Sequence, residues 1–336
     1  MLRIIARAVA AASIVSLPSL AAAEPINLKL SFFTSDRSQI YQYSVKPFVD
    51  AVNSEGAGLV HIEVYFSGAI SGDLSQQPQL AADGMADLAF IIPGRTPDRF
   101  HDTSVLELPG LFRDTREASR VFTELARDGT LSGYDDFYVV EGEVSGPESI
   151  HSRKPVASIA DLNGLTIRVN NPMEAEVLQR LGAVPVLLSI NQTTAAVSNG
   201  TIDGATFPPA MLFEFGVGRV ATHHFMIGLG GAPMALLMNR RKFESLPQAS
   251  QSIIRKYGGE WLCDYSTKKF DELDRQVLQT LEADPRRTVV FPGAADEKTI
   301  QGVYKDVIAQ WAGSSDHNRE LLARVRAELA KLRTSE

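Results

Sequence analysis

The chain has 336 residues, 33 basic against 40 acidic, for a formal net charge of −7. A net acidic chain without basic runs argues against nucleic acid and anionic membrane surfaces as partners. A single cysteine, Cys263, excludes an internal disulfide; set among helical residues, it reads as a small buried hydrophobe rather than a nucleophile.

Residues 1–23 read as an export signal. Arg3 and Arg7 form a short basic region, Ala8 to Leu17 an apolar one, and Ala21-Ala22-Ala23 a small-residue cleavage site. The apolar run falls short of the ~20 residues that span a bilayer, so the mature protein is expected to be soluble, in a periplasm, with cleavage after Ala23. Losing two arginines takes the formal charge from −7 to −9. The remaining chain, about 310 residues, is more than one core comfortably serves, and two domains are expected.

From Ile26 the chain alternates strand and helix signals. Leu28 to Phe33 reads as a strand; Tyr41 to Asn53 carries Val45, Phe48, Val49 and Val52 at helical spacing; Val60 to Phe66 is a second strand. A short helix follows from Gln76 to Asp83, then a third strand from Ala86 to Ile92. The pattern repeats later: strand Thr166–Val169, helix Pro172–Leu181, strand Val184–Leu188, helix Thr193–Ser198, strand Ile202–Thr206. Two β-α-β-α-β halves predict an α/β protein with two lobes and largely parallel sheets. Pro247 to Asp284 reads as one long helix or a broken pair with Gly258-Gly259 as the bend; unbroken, it could run ~50 Å and lie across both lobes. The tail is amphipathic helix over Glu297–Trp311 and Asp316–Leu332. No low-complexity linker is visible, so crossing strands must join the lobes. The expected boundaries are 24–146 plus about 232–272 for lobe I, and 147–231 plus about 273–336 for lobe II.

Arg168 stands out. Leu165, Ile167 and Val169 alternate with Thr166, Arg168 and Asn170, so a strand with one apolar face carries a guanidinium on the other. A strand-mounted fork can grip a carboxylate with two parallel bonds; the competing reading is an ordinary surface ion pair, worth ~0–1 kcal/mol. Ligands in open α/β sheets bind beyond the carboxyl ends of strands. Arg95, in Ile92-Pro93-Gly94-Arg95, is either a second carboxylate ligand or a solvated loop arginine. Phe207, at another strand mouth, is either a site wall or plain packing. Adjacent His223 and His224 point apart and make a poor metal pair. Gly228-Leu229-Gly230-Gly231 only superficially resembles a dinucleotide fingerprint, because Pro233 takes the third glycine's place. No catalytic residue, cofactor or metal site is expected.

The segments together resemble the substrate-binding proteins of tripartite ATP-independent periplasmic (TRAP) transporters, of the C4-dicarboxylate-binding type. The resemblance rests on Lys46 to Val52, Asp83 to Ala89, Leu106 to Phe112, Asp161 to Arg168, Asn199 to Gly204, and Met238-Asn239 before Leu246-Pro247. It implies a two-lobed periplasmic binding-protein fold with a long helix across both lobes, which closes over an organic acid and docks on membrane permease subunits. It also implies that Arg168 pairs with the ligand carboxylate. A binding protein feeding an ATP-driven importer shares the two-lobe logic, but the long helix and the Arg168 motif favour the TRAP reading. A monomer is expected.

The departures from the family bear on the ligand. Relatives carry a polar residue where Phe207 stands, Phe33 replaces a polar first-strand residue, and Ile190 stands where an aromatic ring often lies. The upstream arginine of relatives is missing from Ser145 to His151, and Arg95 can supply a second charge instead. Gln77, in the short helix before the third strand, completes the candidate ligand contacts. One arginine with fewer polar groups points to an aromatic or hydrophobic monocarboxylate, with 2-oxo and 2-hydroxy acids included; a C4-dicarboxylate clamped by Arg95 is the competing class.

Overall fold

The computed structural model describes residues 24–335. The export signal expected over residues 1–23 lies outside them. The strands are β1 (Ile26–Ser31), β2 (Val60–Tyr65), β3 (Leu88–Ile91), β4 (Phe137–Val144), β5 (Ser149–Ser152), β6 (Thr166–Val169), β7 (Val184–Leu187), β8 (Gly204–Phe207), β9 (His223–Phe225), β10 (Pro233–Asn239) and β11 (Thr288–Val290). They form two sheets, ordered β2-β1-β3-β10-β4 and β11-β9-β5-β8-β6-β7.

Both sheets are largely parallel, as expected, but each is made mixed by one reversed strand, β10 in the first and β5 in the second. In the first, β1 runs parallel to β2 and β3, while β10 is antiparallel to β3 and β4. In the second, β6 runs parallel to β7 and β8, while β5 is antiparallel to β8 and β9. The cause is the crossing. The chain passes from β4 in the first sheet to β5 in the second, and from β9 back to β10. Each arriving strand enters from the side where its new neighbours end, so it must run against them. Neither β4 nor β10 shows the alternation that marks a half-exposed strand: β10 is apolar from Pro233 to Met238, and β4 runs from an apolar half into Glu141-Gly142-Glu143, all of it buried but for Tyr138.

Gly230 and Gly231 sit on the return crossing. A Cβ at Gly230 would lie 2.2 Å from the Glu107 carbonyl oxygen, and one at Gly231 2.2 Å from that of Ser145. These glycines let two backbones touch, which accounts for the run without a nucleotide.

Between Pro247 and Asp284 the broken pair is realised, as helices Gln248–Tyr257 and Glu260–Ala283. The bend falls at Gly259, whose φ of +59° favours glycine. The second helix has 24 residues, about 36 Å at 1.5 Å per residue. Asp264 on it pairs with Arg116 and Arg120 of the first-half helix Thr115–Arg127. Nearly three turns later, Asp274 accepts the Ala210 N–H (2.6 Å) beyond the end of β8. One rigid element thus touches both halves.

The two C-terminal helices part company. Ile300, Tyr304 and Val307 of helix Ala294–Gly313 pack with Ile167, Val169 and Val177 of the second half. Leu321, Leu322, Val325 and Leu329 of helix Asp316–Ser335 pack with Phe122, Leu125 and Val139 of the first. The lobe II boundary drawn through residue 336 is therefore too long, because the apolar stripe of the last helix finds its partner on the first sheet.

Candidate functional site

The strand ends converge on one cavity of about 290 Å³. From the first sheet it takes Phe33 and Thr34 after β1, Ile92 and Arg95 after β3, Glu143 at the end of β4, and Pro233 and Met234 where β10 begins. The second half contributes Glu148 before β5, Asn170 and Asn171 after β6, Ile190, and Phe207 and Pro208 at the end of β8. Phe270 and Asp274 come from the long helix, four residues apart and so on one face of it. This is the placement that strand-end logic predicts, doubled because two sheets face each other.

Arg168 lies fully buried in β6, one layer behind the wall. Its Nε donates to the Leu188 carbonyl (3.1 Å) and its Nη1 to that of Thr206 (3.3 Å). The guanidinium carbon sits 5.1 Å from the ring centroid of Phe207, a cation–π contact. Its Nη2 has no hydrogen-bond partner. No carboxylate among the described residues pairs directly with this arginine, although Glu148 and Glu174 lie close enough to feel its charge. A buried, always-charged group with a spare donor is costly unless something pairs with it.

The nearby acids are held in place by the turn after β6. Asn171 caps helix Pro172–Arg180 by accepting the Glu174 N–H (2.8 Å), and Glu174 reaches back to the Asn170 N–H (3.0 Å), a reciprocal cap. Glu174 also accepts the Thr206 hydroxyl at 2.6 Å, and Glu148 accepts from the Asn170 side-chain amide. Burial, then the charge of Glu174, lifts the Glu148 carboxyl well above the usual range. Other cavity acids follow suit. Burial and the charge of Glu174 push Glu107 up to about 8, burial brings Glu143 to about 7, and burial brings Asp274 to about 6. Around neutral pH much of this acid is protonated, which leaves the field of Arg168 less opposed than a count of carboxyls would suggest.

Of the sequence candidates, Phe33, Arg95, Ile190 and Phe207 all line the cavity. The ring of Phe33 stacks on Phe32, and the exposed Arg95 side chain has no hydrogen bond or ion pair among the described residues. Gln77 lies elsewhere. It is fully buried, with its carbonyl oxygen taken by the Ser31 hydroxyl (2.7 Å) and its amide donating to the Ser71 carbonyl (2.7 Å), so it fastens a loop to β1. Sequence reasoning missed the acids. Glu143 alternates in β4 with Gly142, and Asp274 follows Phe270 by one helical turn. Either spacing could have been read as polar groups on an inward face.

His151 and His224 form a buried pair. His151 Nε2 lies 3.1 Å from the Phe207 carbonyl and so donates to it, which leaves Nδ1 to accept from His224 Nδ1 at 2.8 Å. Arg287 Nη1, 3.4 Å away, faces the remaining His224 nitrogen as a donor. Burial pushes His151 down to about 4 and His224 to about 3, so both rings are neutral props behind Phe207. Cys263 is buried too, and burial pushes its thiol up, away from the reactive thiolate.

Residues 30–314 match the model of the bacterial extracellular solute-binding protein family 7, DctP. The chain belongs to this family. It is a TRAP substrate-binding protein of the DctP type. The C4-dicarboxylate-binding periplasmic protein DctP of Rhodobacter capsulatus is 24% identical over 271 residues, 80% of either chain. A TRAP solute-binding protein of Rhodoferax ferrireducens T118, solved with copurified benzoate, is 28% identical with a TM-score of 0.81. That match covers 91% of this chain and 98% of the other. Another from an unidentified marine microbe, described as specific for aromatic acid ligands and bound to metahydroxyphenylacetate, superposes with a TM-score of 0.83 at 24% identity. It covers 91% of this chain and 99% of its own. The two-lobed architecture with crossing strands and a long bridging helix is thus the TRAP receptor fold. In this TRAP receptor no helix of the described residues is long and apolar enough to cross a membrane.

Proposed function

We propose that this TRAP receptor is exported to the periplasm and binds an aromatic or otherwise hydrophobic monocarboxylate, 2-oxo and 2-hydroxy acids included. It carries out no chemistry and, as a monomer, hands the acid to the membrane subunits of its permease. The observation that carries the ligand class is the pairing of one spare guanidinium donor, Arg168 Nη2, with a wall built from Phe33, Phe207, Ile190 and Phe270. The carboxylate would take that donor, in a cavity whose wall includes the hydrogen-bonded Glu148–Asn170 pair. An aromatic body would then fill space that rewards apolar surface at ~25 cal/mol per Å². The benzoate and metahydroxyphenylacetate held by the two solved relatives support this reading. A C4-dicarboxylate, gripped at its far end by Arg95, is the second reading, favoured by the R. capsulatus relative.

The test is a thermal-shift screen of the mature chain against benzoate, 3-hydroxybenzoate, mandelate, phenylpyruvate, succinate and malate. The aromatic acids are expected to raise the melting temperature. Stabilisation by succinate or malate alone would overturn the ligand class and leave the dicarboxylate reading standing.

A further inference from the structure

Outside the cavity lining, two histidines 216 positions apart in sequence meet over one carboxylate. His101 opens the 3₁₀ turn His101–Glu107, and His317 is the second residue of the last helix, Asp316–Ser335. Both rings are more than half exposed, whereas Asp102 between them is only 3% exposed. Asp102 Oδ1 lies 2.6 Å from His317 Nε2 and 3.2 Å from His101 Nε2. All three donor atoms fall within 4.8 Å of one another.

The buried carboxylate is pinned from behind, since its Oδ2 accepts the Ser132 N–H at 3.0 Å. Fixing a ligand through its second atom is how metal sites set ligand direction. We propose that His101, Asp102 and His317 form a zinc site that clips the last helix to the first half of the receptor.

The geometry is near what the ion needs. Zn–N and Zn–O bonds of about 2.0–2.2 Å in a tetrahedron place neighbouring donors roughly 3.3 Å apart. The His101–Asp102 separation already has that value, and the His317–Asp102 pair must open by about 0.7 Å. Both imidazoles project into solvent and can swing to do so. Two imidazoles with a single carboxylate oxygen suit zinc or its transition-metal neighbours rather than calcium or magnesium, which demand more oxygens. A fourth position would be left to water.

The alternative is a plain hydrogen-bonded cluster, in which Asp102 accepts from the two rings. Calorimetry on the untagged mature protein, stripped with chelator, separates the two. Zinc is expected to bind with a stoichiometry of one and to raise the melting temperature, with calcium doing neither. His317→Ala and His101→Ala, both at exposed rings, are expected to fold as the parent does by circular dichroism. Each should weaken zinc by about tenfold or more. No zinc-dependent shift, or a shift that survives the double His→Ala change, would overturn the site. Because none of the three residues lines the cavity, neither outcome bears on the organic-acid reading.

Discussion

Replacing Arg168 with alanine should separate affinity from stability, and both effects can be worked from its contacts. In binding, the ligand carboxylate would be drawn into a closed cavity with its charge partner gone. Stranding one member of a buried ion pair costs about 3–5 kcal/mol, a loss of about 10²–10⁴ in affinity at 1.4 kcal/mol per tenfold. Part of this is returned, because Glu148 and Glu174 no longer face a cation and hold their protons more firmly. In stability, the carbonyls of Leu188 and Thr206 lose their donors, each at about 1–3 kcal/mol, and Phe207 loses its cation. Against this stands the relief of no longer burying a guanidinium. A net cost of about 2–4 kcal/mol would lower the melting temperature by roughly 5–10 °C. The protein should therefore fold but not be indifferent to the change. Arg168→Lys keeps the charge and loses the fork, so it should fall between the two. The assay is titration calorimetry with the best acid from the screen, beside a thermal melt of each variant. A folded Arg168→Ala protein that bound within about threefold of the parent would refute the reasoning, since stranding the carboxylate cannot cost so little.

Two further predictions come from the cavity wall. Phe33→Asn puts an amide where a part-buried ring stacks on Phe32; it should weaken benzoate-type ligands by about 1–2 kcal/mol, roughly 5–30-fold, while favouring hydroxylated acids, and equal losses for both classes by calorimetry would count against an apolar selectivity wall. Glu143 is 1% exposed, and burial lifts it from 4.5 to about 7. A carboxyl raised on folding gives stability that is whole below pH 4.5 and lost as pH climbs through about 7, here on the order of 3 kcal/mol. Glu143→Gln cannot ionise, so the variant's melting temperature relative to the parent should improve from pH 5 to pH 8; a pH-independent difference would mean that Glu143 does not hold a proton.

Much of the site was legible because its carriers obey local rules. Arg168 was readable from alternation in Leu165 to Asn170, and Phe207 from a strand halted by two prolines. The cavity then follows from strand ends, which chain order alone locates. What escaped was non-local. The antiparallel entry of β5 and β10 depends on which sheet the chain crosses into, and no window of sequence records that. Gln77 was read as a ligand contact, yet its amide oxygen accepts from Ser31, 46 residues away, and its amide nitrogen donates to Ser71. Likewise, only the fold brings His317 to Asp102, across 215 residues.

The acids around Arg168 alter what that arginine means. A lone guanidinium in an apolar pocket would attract any anion that fits. Here it feels the charge of Glu148, just before β5, and of Glu174, in the helix after β6, with Glu107, Glu143 and Asp274 spread over the wall. Each costs stability if ionised, and burial raises every one of them, so near neutral pH part of this acid is protonated. A ligand carboxylate that enters brings one more negative charge and pushes those protonation equilibria further toward the neutral acid. Binding should then take up protons, and affinity should fall as pH rises from 6 to 9 even though Arg168 never titrates in that range. On the proposed reading the arginine would supply the attraction, and the acids would set the pH at which it is felt.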